Sequence, residues 1–319
     1  MEHEEIQSII HQLKGEVAKV IIEQEEVADY CIAAMLSGGH LLIEGVPGLA
    51  KTLFARTFAK TMSLSCNRIQ FTPDLMPSDI IGTRMFNMQE RIFELKKGPV
   101  FANLILADEI NRTPPKTQSA LLEAMQDESV SIDGETMAIP MPFMVMATQN
   151  PIEYEGTYSL PEALVDRFLF KVSMDYPSAG GETEVLKRLH GLHAAKMTPE
   201  NCEVIPVCTG EQVLEMRKAV SLVKVEDALI RYMVEIVRAT RESQLVENGS
   251  SPRGCIALLT ASKAWAVMAG RDYVLPEDVK QVALPSLRHR LILKPEVVLD
   301  GVKADDVLAG ILDQAKVPR

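Results

Sequence analysis

The chain has 319 residues, of which 47% are hydrophobic and 24% charged, with a net charge of −11, a mean hydropathy of +0.05 and a pI near 5.2. That length and balance suit two packed globular domains and exclude a largely disordered chain. The acidic excess disfavours a protein whose main task is to neutralise nucleic-acid phosphates, because such binding rests on clustered Lys and Arg.

The opening "MEHEEIQSII" is acidic where a signal peptide needs a basic start, and no apolar run is long enough to span a bilayer. An intracellular, cytoplasmic protein without membrane insertion is expected. The segment "IQSIIHQLKGEVAKVII" carries Ile6, Ile9, Ile10, Leu13, Val17 and Val20 at helical spacing. A second predicted helix, "EEVADYCIAAML", stops at Gly38 and Gly39, whose backbone suits a helix end. "HLLIE" is then a short apolar run opening into "GVPGLAKT", after which "LAKTLFARTFAKTM" resumes the helical period. Strand, glycine-bearing turn, helix is the setting in which the pattern G-x-x-x-x-G-K-[ST] becomes a phosphate site.

Four further runs, "RIQFT", "NLILADE", "PFMVMATQN" and "RFLFKVSM", have the composition of strands buried on both faces of a parallel sheet. Between the second and third lie a predicted helix, "KTQSALLEAMQ", and a predicted hairpin, "VSIDGETMAI", turning at Asp133 and Gly134. "RMFNMQERIFELKKG" alternates like another hairpin. After "DYPSAGG" the strand signals fade, and "ETEVLKRLHGLH", "GEQVLEMRKAV", "VEDALIRYMVEIVRATRES", "RGCIALLTASKAWAVMAG" and "PEDVKQVALPSLRHRL" read as helices. An α/β core over residues 1–181 followed by a mostly helical domain over residues 182–319 is expected.

Glycine-rich turns bind phosphate because their backbone N–H groups converge at a helix start, where the aligned peptide dipoles also favour negative charge. Lys51 falls in that first turn and opposes the dipole by about 0.3–1 kcal/mol unless an anion sits beside it. A strand-to-helix turn that merely needs its glycines is the plainer alternative. Ala50 stands where the pattern has glycine; its methyl costs little in right-handed helical backbone and about 1–2 kcal/mol in left-handed backbone. Because Ala50 immediately precedes Lys51, the right-handed conformation is expected.

"LILADE" ends in Asp108 and Glu109. A carboxylate at a strand's C-terminal edge can hold Mg²⁺, usually through water, with the Thr52 hydroxyl on the same ion, and the adjacent Glu109 can then polarise an attacking water. An acidic pair that only caps a strand loses ground, since ligands of open α/β sheets bind outside the carboxyl ends of the strands. Asn150, ending its strand before Pro151, can position that water or touch a γ-phosphate, or it can serve ordinary Asn-Pro turn chemistry.

Ser251 and Pro252 read as the cap and first residue of a helix, which puts Arg253 where a cation is disfavoured without an anionic ligand. Arg167 falls near the end of a helix that Ser159 and Glu162 are expected to open as a capping box; a cation is comfortable there, and the residues alone leave its role open. The basic run Arg288, His289, Arg290 reads as a solvated helix end. His190 and His193 sit three apart on a predicted helix without further zinc ligands at a matching spacing. Cys31, Cys66, Cys202, Cys208 and Cys255 are scattered and read as reduced structural thiols.

In this order, "GVPGLAKT", "LILADEINR", "ATQNP", "LPEALVDRF" and "SSPRG" resemble the MoxR family of AAA+ ATPases, from about residue 20 to about residue 315; alanine before the lysine is itself usual there. The resemblance implies an AAA+ P-loop NTPase core with a helical lid. It makes Gly45, Val46, Pro47, Gly48, Leu49, Ala50, Lys51 and Thr52 the Walker A loop, Asp108 and Glu109 Walker B, and Asn150 sensor one. Arg167 becomes the arginine finger offered to a neighbouring subunit, and Arg253 becomes sensor two, in its own site or a neighbour's. The two predicted hairpins correspond to the helix-two insertion and the hairpin preceding sensor one.

The resemblance further implies ATP and Mg²⁺ as cofactors and self-association into a ring, expected as a hexamer. It also implies a protein client, often a partner carrying a von Willebrand factor type A domain, and a chaperone-like role in remodelling or maturing protein complexes. Glu23 departs from the family's usual glycine before Gln24, at the adenine end of the site. Two other readings are a nucleotide-gated scaffold with little turnover, which the intact Asp108, Glu109 and Asn150 argue against, and a DNA-associated AAA+ motor, which the acidic balance disfavours.

Overall fold

The computed structural model describes residues 1, 3–150, 156–192 and 196–318. The chain begins with α1 (His3–Ala18) and α2 (Glu25–Ser37), and α2 ends where Gly38 takes φ +67°. β1 (His40–Glu44), α3 (Lys51–Thr61), β2 (Cys66–Gln70) and α4 (Pro77–Ile81) follow, then the antiparallel pair β3 (Gly82–Asn87) and β4 (Ile92–Lys97). β5 (Leu104–Asp108) leads through a 3₁₀ turn, Ile110–Arg112, into α5 (Pro115–Asp127). A second hairpin, β6 (Ser129–Ile132) and β7 (Glu135–Ala138), turns as expected at Asp133 and Gly134, whose φ values of +50° and +84° match a two-residue hairpin turn. β8 (Met144–Gln149), α6 (Glu162–Val165) and β9 (Phe168–Ser173) complete the α/β part.

The remainder is helical: α7 (Ala179–Gly191), α8 (Gly210–Leu222), α9 (Asp227–Glu242), α10 (Pro252–Met268) and α11 (Pro276–Leu287). A 3₁₀ turn (Arg288–Arg290), α12 (Pro295–Leu299) and α13 (Ala304–Gln314) end it, with β10 (Val246–Asn248) and β11 (Ile292–Leu293) pairing as a small ribbon.

The five-stranded sheet has the order β2-β5-β8-β1-β9 and every pairing in it is parallel. The strands β5, β8 and β1 are mostly apolar and buried because both faces are covered, whereas the edge strand β2 carries Asn67, Arg68 and Gln70 and buries only Ile69. Leu41, Ile43, Leu104, Leu106, Met144 and Met146 pack on one face with α1, α2, α3 and the C-terminal helices. Leu42, Ile105, Ala107, Val145 and Ala147 pack on the other with α5 and the β6 hairpin. The C-terminal helices thus share a hydrophobic core with the first two. The register pairs Gln70 with Asp108 and Glu44 with Gln149, so the strand ends that carry polar residues stand level along one edge.

Three local expectations are corrected. Ser159 does not open α6: Pro161 precedes its first residue, and no side-chain cap is formed. Proline presets a φ suited to a helix start and has no N–H to satisfy, so a cap further upstream is not needed. Arg288 to Arg290 are not solvated: the Arg290 side chain is 4% exposed and paired with Asp166, and His289 contacts the Phe168 carbonyl. Arg288 pairs with Asp305 at 2.9 Å. A carboxylate distant in sequence turned a surface-like basic run into an interior junction. Finally, α7 starts at Ala179, ahead of its predicted first residue, because the Ser178 hydroxyl accepts from Gly181 N–H and caps it.

Candidate active site

The loop between β1 and α3 is held tightly at its base and open at its tip. Gly45 N–H donates to the Gln149 carbonyl at 3.2 Å, and a Cβ on Gly45 would lie 2.6 Å from the Met174 carbonyl oxygen, so only glycine fits. Val46 is half-buried, Pro47 is exposed, and Leu49 is buried in the core. Gly48 takes φ +91° with no atom within 4 Å of a Cβ position, which leaves space beside the loop for a ligand.

Ala50 adopts φ +58°, ψ 23° as the N-cap of α3, so the right-handed expectation is wrong. Between the buried Leu49 and the helix start the chain must turn sharply, and Ala50 carries a conformation that glycine adopts freely. The methyl therefore stores about 1–2 kcal/mol of strain. Lys51 is the first residue of α3, as expected, with Thr52 half-buried beside it in the same turn. Lys51 Nζ donates to the Gly45 carbonyl at 2.5 Å. Burial lowers the Lys51 pKa, and the negative charges of Asp108 and Glu109 oppose that shift.

Asp108 ends β5 with both oxygens engaged. Oδ1 accepts from Thr148 Oγ1 at 2.6 Å, and Oδ2 accepts from Arg68 Nε at 3.0 Å and Arg68 Nη2 at 2.6 Å. Glu109 follows at φ +57°, a left-handed residue whose N–H donates to Thr148 Oγ1 at 2.9 Å. Its Oε2 accepts from Gln70 Nε2 at 2.7 Å and pairs with Arg112 Nε at 3.2 Å. Buried Gln118 donates to the carbonyls of Ile110 and Thr113 and so pins the turn behind Glu109. Asn150 is 5% exposed at the end of β8, the strand between β5 and β1. Lys51, Asp108, Glu109 and Asn150 thus meet at one sheet edge. Arg68, Gln70, Arg112, Gln118 and Thr148 were not anticipated; Gln70 and Thr148 carry a readable signal, since each is polar at or next to the C-terminal end of an apolar strand.

These residues fit a magnesium-bound nucleotide. A half-buried ammonium, an open glycine turn at a helix start and two carboxylates at the end of a neighbouring parallel strand are the donor types that phosphate with a hard cation requires. The zinc question stays with His190 alone, on α7, because His193 lies outside the described residues.

The two arginines sit elsewhere. Arg253 occupies the first turn of α10, capped by Ser251, and the anion beside it is Asp166 of the same chain at 3.2 Å. Asp166 also accepts from Arg290 Nε at 3.0 Å and Ser251 Oγ at 3.3 Å. Arg167 is half-buried rather than a free helix-end cation: Nη2 donates to Gln126 Oε1 of α5 at 2.5 Å, and its buried Nε has no partner among the described residues. Phe168, the next residue, pairs with His40, the first residue of β1. Arg167 therefore stands at the N-terminal edge of the sheet, opposite the loop.

At the other margin Glu23 adopts φ +56°, the conformation for which glycine is suited. Its carboxylate accepts from Ser178 N–H at 2.6 Å and Ser178 Oγ at 2.8 Å, bonds that hold the carboxyl pKa below its ordinary value. Gln24 Nε2 donates to the Asp175 carbonyl at 2.9 Å, tying the same segment to the chain ahead of α7.

A family signature described as "ATPase family associated with various cellular activities (AAA)" matches residues 40–170, and one described as "AAA lid domain" matches residues 238–311. YeaC of Bacillus subtilis is 45% identical over 316 residues, covering 98% of this chain and 97% of that protein. Chaperone MoxR1 of Mycobacterium tuberculosis is 44% identical over 313 residues, covering 95% of this chain and 81% of its own. A crystal structure of a Cytophaga hutchinsonii protein superposes with a TM-score of 0.91 at 43% identity, covering 99% and 97% of the two chains.

Proposed function

The chain belongs to the MoxR family of AAA+ ATPases, and on that premise we propose that it is a Mg²⁺-dependent ATP hydrolase that remodels or matures protein complexes in a chaperone-like way. The carrying observation is the convergence of Lys51, Asp108, Glu109 and Asn150 at one sheet edge beside an open glycine turn. In this reading Gly45 to Thr52 bind and orient the phosphates through backbone N–H groups, and Lys51 exchanges the Gly45 carbonyl for phosphate oxygens. Magnesium, when bound, neutralises charge on the phosphates, and Thr52 and Asp108 are the residues that hold it. Glu109 orients and polarises the attacking water, and Asn150 positions that water or the terminal phosphate.

Arg167 serves a neighbour's site in this proposal. Five residues of β1 at about 3.3 Å each put roughly 16 Å of strand between its edge of the sheet and its own loop. A ring, expected as a hexamer, supplies the second chain. Arg253 acts as the second sensor, leaving Asp166 for a nucleotide in its own or an adjacent subunit. The boundary between core and lid is put at residues 181 and 182.

A protein client is supported by the β3–β4 hairpin, where Met85, Phe86, Ile92 and Phe93 are all exposed, Phe93 at 68%. The partner is expected to carry a von Willebrand factor type A domain. No helix among the described residues is long and apolar enough to cross a membrane, which accords with the proposed cytoplasmic location.

The test is Glu109→Gln. The variant should bind Mg·ATP with near-normal affinity, because the amide keeps the shape of the carboxylate, and lose about 10²-fold or more in turnover, because it cannot polarise water. Hydrolysis at the wild-type rate sinks the assignment.

A further inference from the structure

A cavity of about 1010 Å³ opens along α3, beginning at Thr52 and lined further on by Arg56, Lys60 and Lys196. Residues four apart on a helix share a face, so Thr52, Arg56 and Lys60 form one stripe whose steps advance about 6 Å each from the phosphate loop. Lys60 lies 3.5 Å from the exposed carboxylate of Glu200. Arg56 is exposed and makes no hydrogen bond or ion pair with any described residue. Three cations and one carboxylate thus line the cavity and leave it positive, in a chain whose net charge is −11.

The opposite imbalance stands at the other edge of the sheet. α5 ends in Gln126 and Asp127 with no basic residue in its last turn, although the negative end of the helix dipole disfavours a carboxylate there. Asp127 is exposed and has no hydrogen bond or ion pair among the described residues. The Met125 carbonyl lies 3.2 Å from His40 Nε2, which fixes this helix end at the edge where Arg167 stands, and Gln126 is the residue that holds Arg167 Nη2. Asp127 is therefore one residue removed from that contact. An arginine that enters a neighbour's phosphate site beside Thr52 brings Asp127 to the stripe that starts at the same threonine.

We propose that Arg56 of one subunit takes Asp127 of the next as its counter-charge, with Lys60 flanking the pair, and that this contact seats the incoming Arg167 at the phosphate end of the cavity. The occupant is a second copy of this chain. The contact is heterologous, cation on one face and carboxylate on another, so each added subunit satisfies one pair and presents the next, as a closed ring requires. The proposal rests on the ring reading and on the service of Arg167 in a neighbour's site.

The experiment follows self-association of the full-length protein by sedimentation velocity, with Mg²⁺ and a non-hydrolysable ATP analogue, and reads the protein concentration giving half-maximal assembly. Arg56→Glu and Asp127→Lys each set like charges opposite one another and should raise that midpoint about three- to tenfold. The double variant reverses both charges at every interface, restores the attraction and should return to within about twofold of wild type. Added salt should narrow the difference between wild type and each single variant, because exposed pairs are screened.

Folded single variants with the wild-type midpoint overturn the inference. So does a double variant as weak as the singles or weaker, which would mean that the two residues do not meet. If either reversal melts well below wild type, the neutral cycle of Arg56→Gln, Asp127→Asn and their combination decides: losses that add overturn the proposal, and a combined loss no larger than either single one supports it. Wild-type protein that stays monomeric at every concentration overturns the ring reading itself.

Discussion

Acid is expected to weaken the sheet through the buried imidazole of His40. His40 opens β1 and is buried, with Nδ1 accepting the Val145 N–H at 3.0 Å and Nε2 lying 3.2 Å from the Met125 carbonyl. Only the neutral ring with its proton on Nε2 satisfies both neighbours; a second proton on Nδ1 would face an N–H. Burial pushes the pKa down to about 4, with the guanidinium groups of Arg217 and Arg167 adding to the depression and the Met125 carbonyl opposing it. The unfolded chain takes up this proton near pH 6.5, before the folded one does, so the stability contributed by neutral His40 is complete above pH 6.5 and is lost as pH falls toward 4. A depression from 6.5 to about 4 corresponds to about 3 kcal/mol over that interval, near 1.4 kcal/mol per pH unit. His289, partly buried and shifted the same way, adds a second proton to the wild-type profile, so the informative quantity is a difference. Urea unfolding followed by circular dichroism, on wild type and His40→Gln between pH 7.5 and 4.5, supplies it. Glutamine can still donate to Met125 and does not titrate; the variant is less stable at neutral pH, and the gap should close steadily below pH 6.5. A gap that is constant across the range refutes the argument.

Ala50→Gly should stabilise the nucleotide-free protein by about 0.5–1 kcal/mol, the relief of about 1–2 kcal/mol from the left-handed alanine less about 0.4–1 kcal/mol for the freer unfolded glycine; denaturation showing a loss of stability would mean the φ of +58° is not adopted. Arg167→Ala should bind ATP nearly normally and hydrolyse it about 10³-fold or more slowly. Mixing it with Lys51→Ala should restore activity in a concentration-dependent manner. Co-assembly of the two variants without recovery would return Arg167 to a role within its own chain.

What could be read in advance, and what could not, divides along the range of the forces involved. "HLLIE", "NLILADE" and "PFMVMATQN" were legible as strands because burial on both faces leaves a mark in every residue. The acid pair and Asn150 were legible because parallel strands bring their C-terminal ends to one edge. Ala50 was not, since its backbone is set by contacts to other parts of the chain: Gly45 pressed against Met174 and Leu49 anchored in the core. The basic run at Arg288 to Arg290 was misread for the same reason, because its counter-charges, Asp166 and Asp305, lie far away in sequence or beyond the next turn. Glu23 shows the converse case, in which a departure from an expected glycine keeps glycine's conformation and adds a cap to α7.

Arg167 marks the limit of reading one chain. Its edge of the sheet follows from the pairing of Phe168 with His40 and the parallel direction of β1 and β9, neither of which local sequence contains. A helix-end arginine at the loop's own edge would have been compatible with service in cis, whereas one a full strand length away, half-buried against Gln126 with an unpartnered Nε, is not placed to meet its own nucleotide. Asp166, the residue beside it, holds Arg253 and Arg290 at the same corner. Under the proposed role of Arg167 in a neighbour's site, a shift of α10 or of the turn at Arg288–Arg290 would act on the residue adjacent to Arg167 through the Asp166 carboxylate, which pairs with both Arg253 and Arg290.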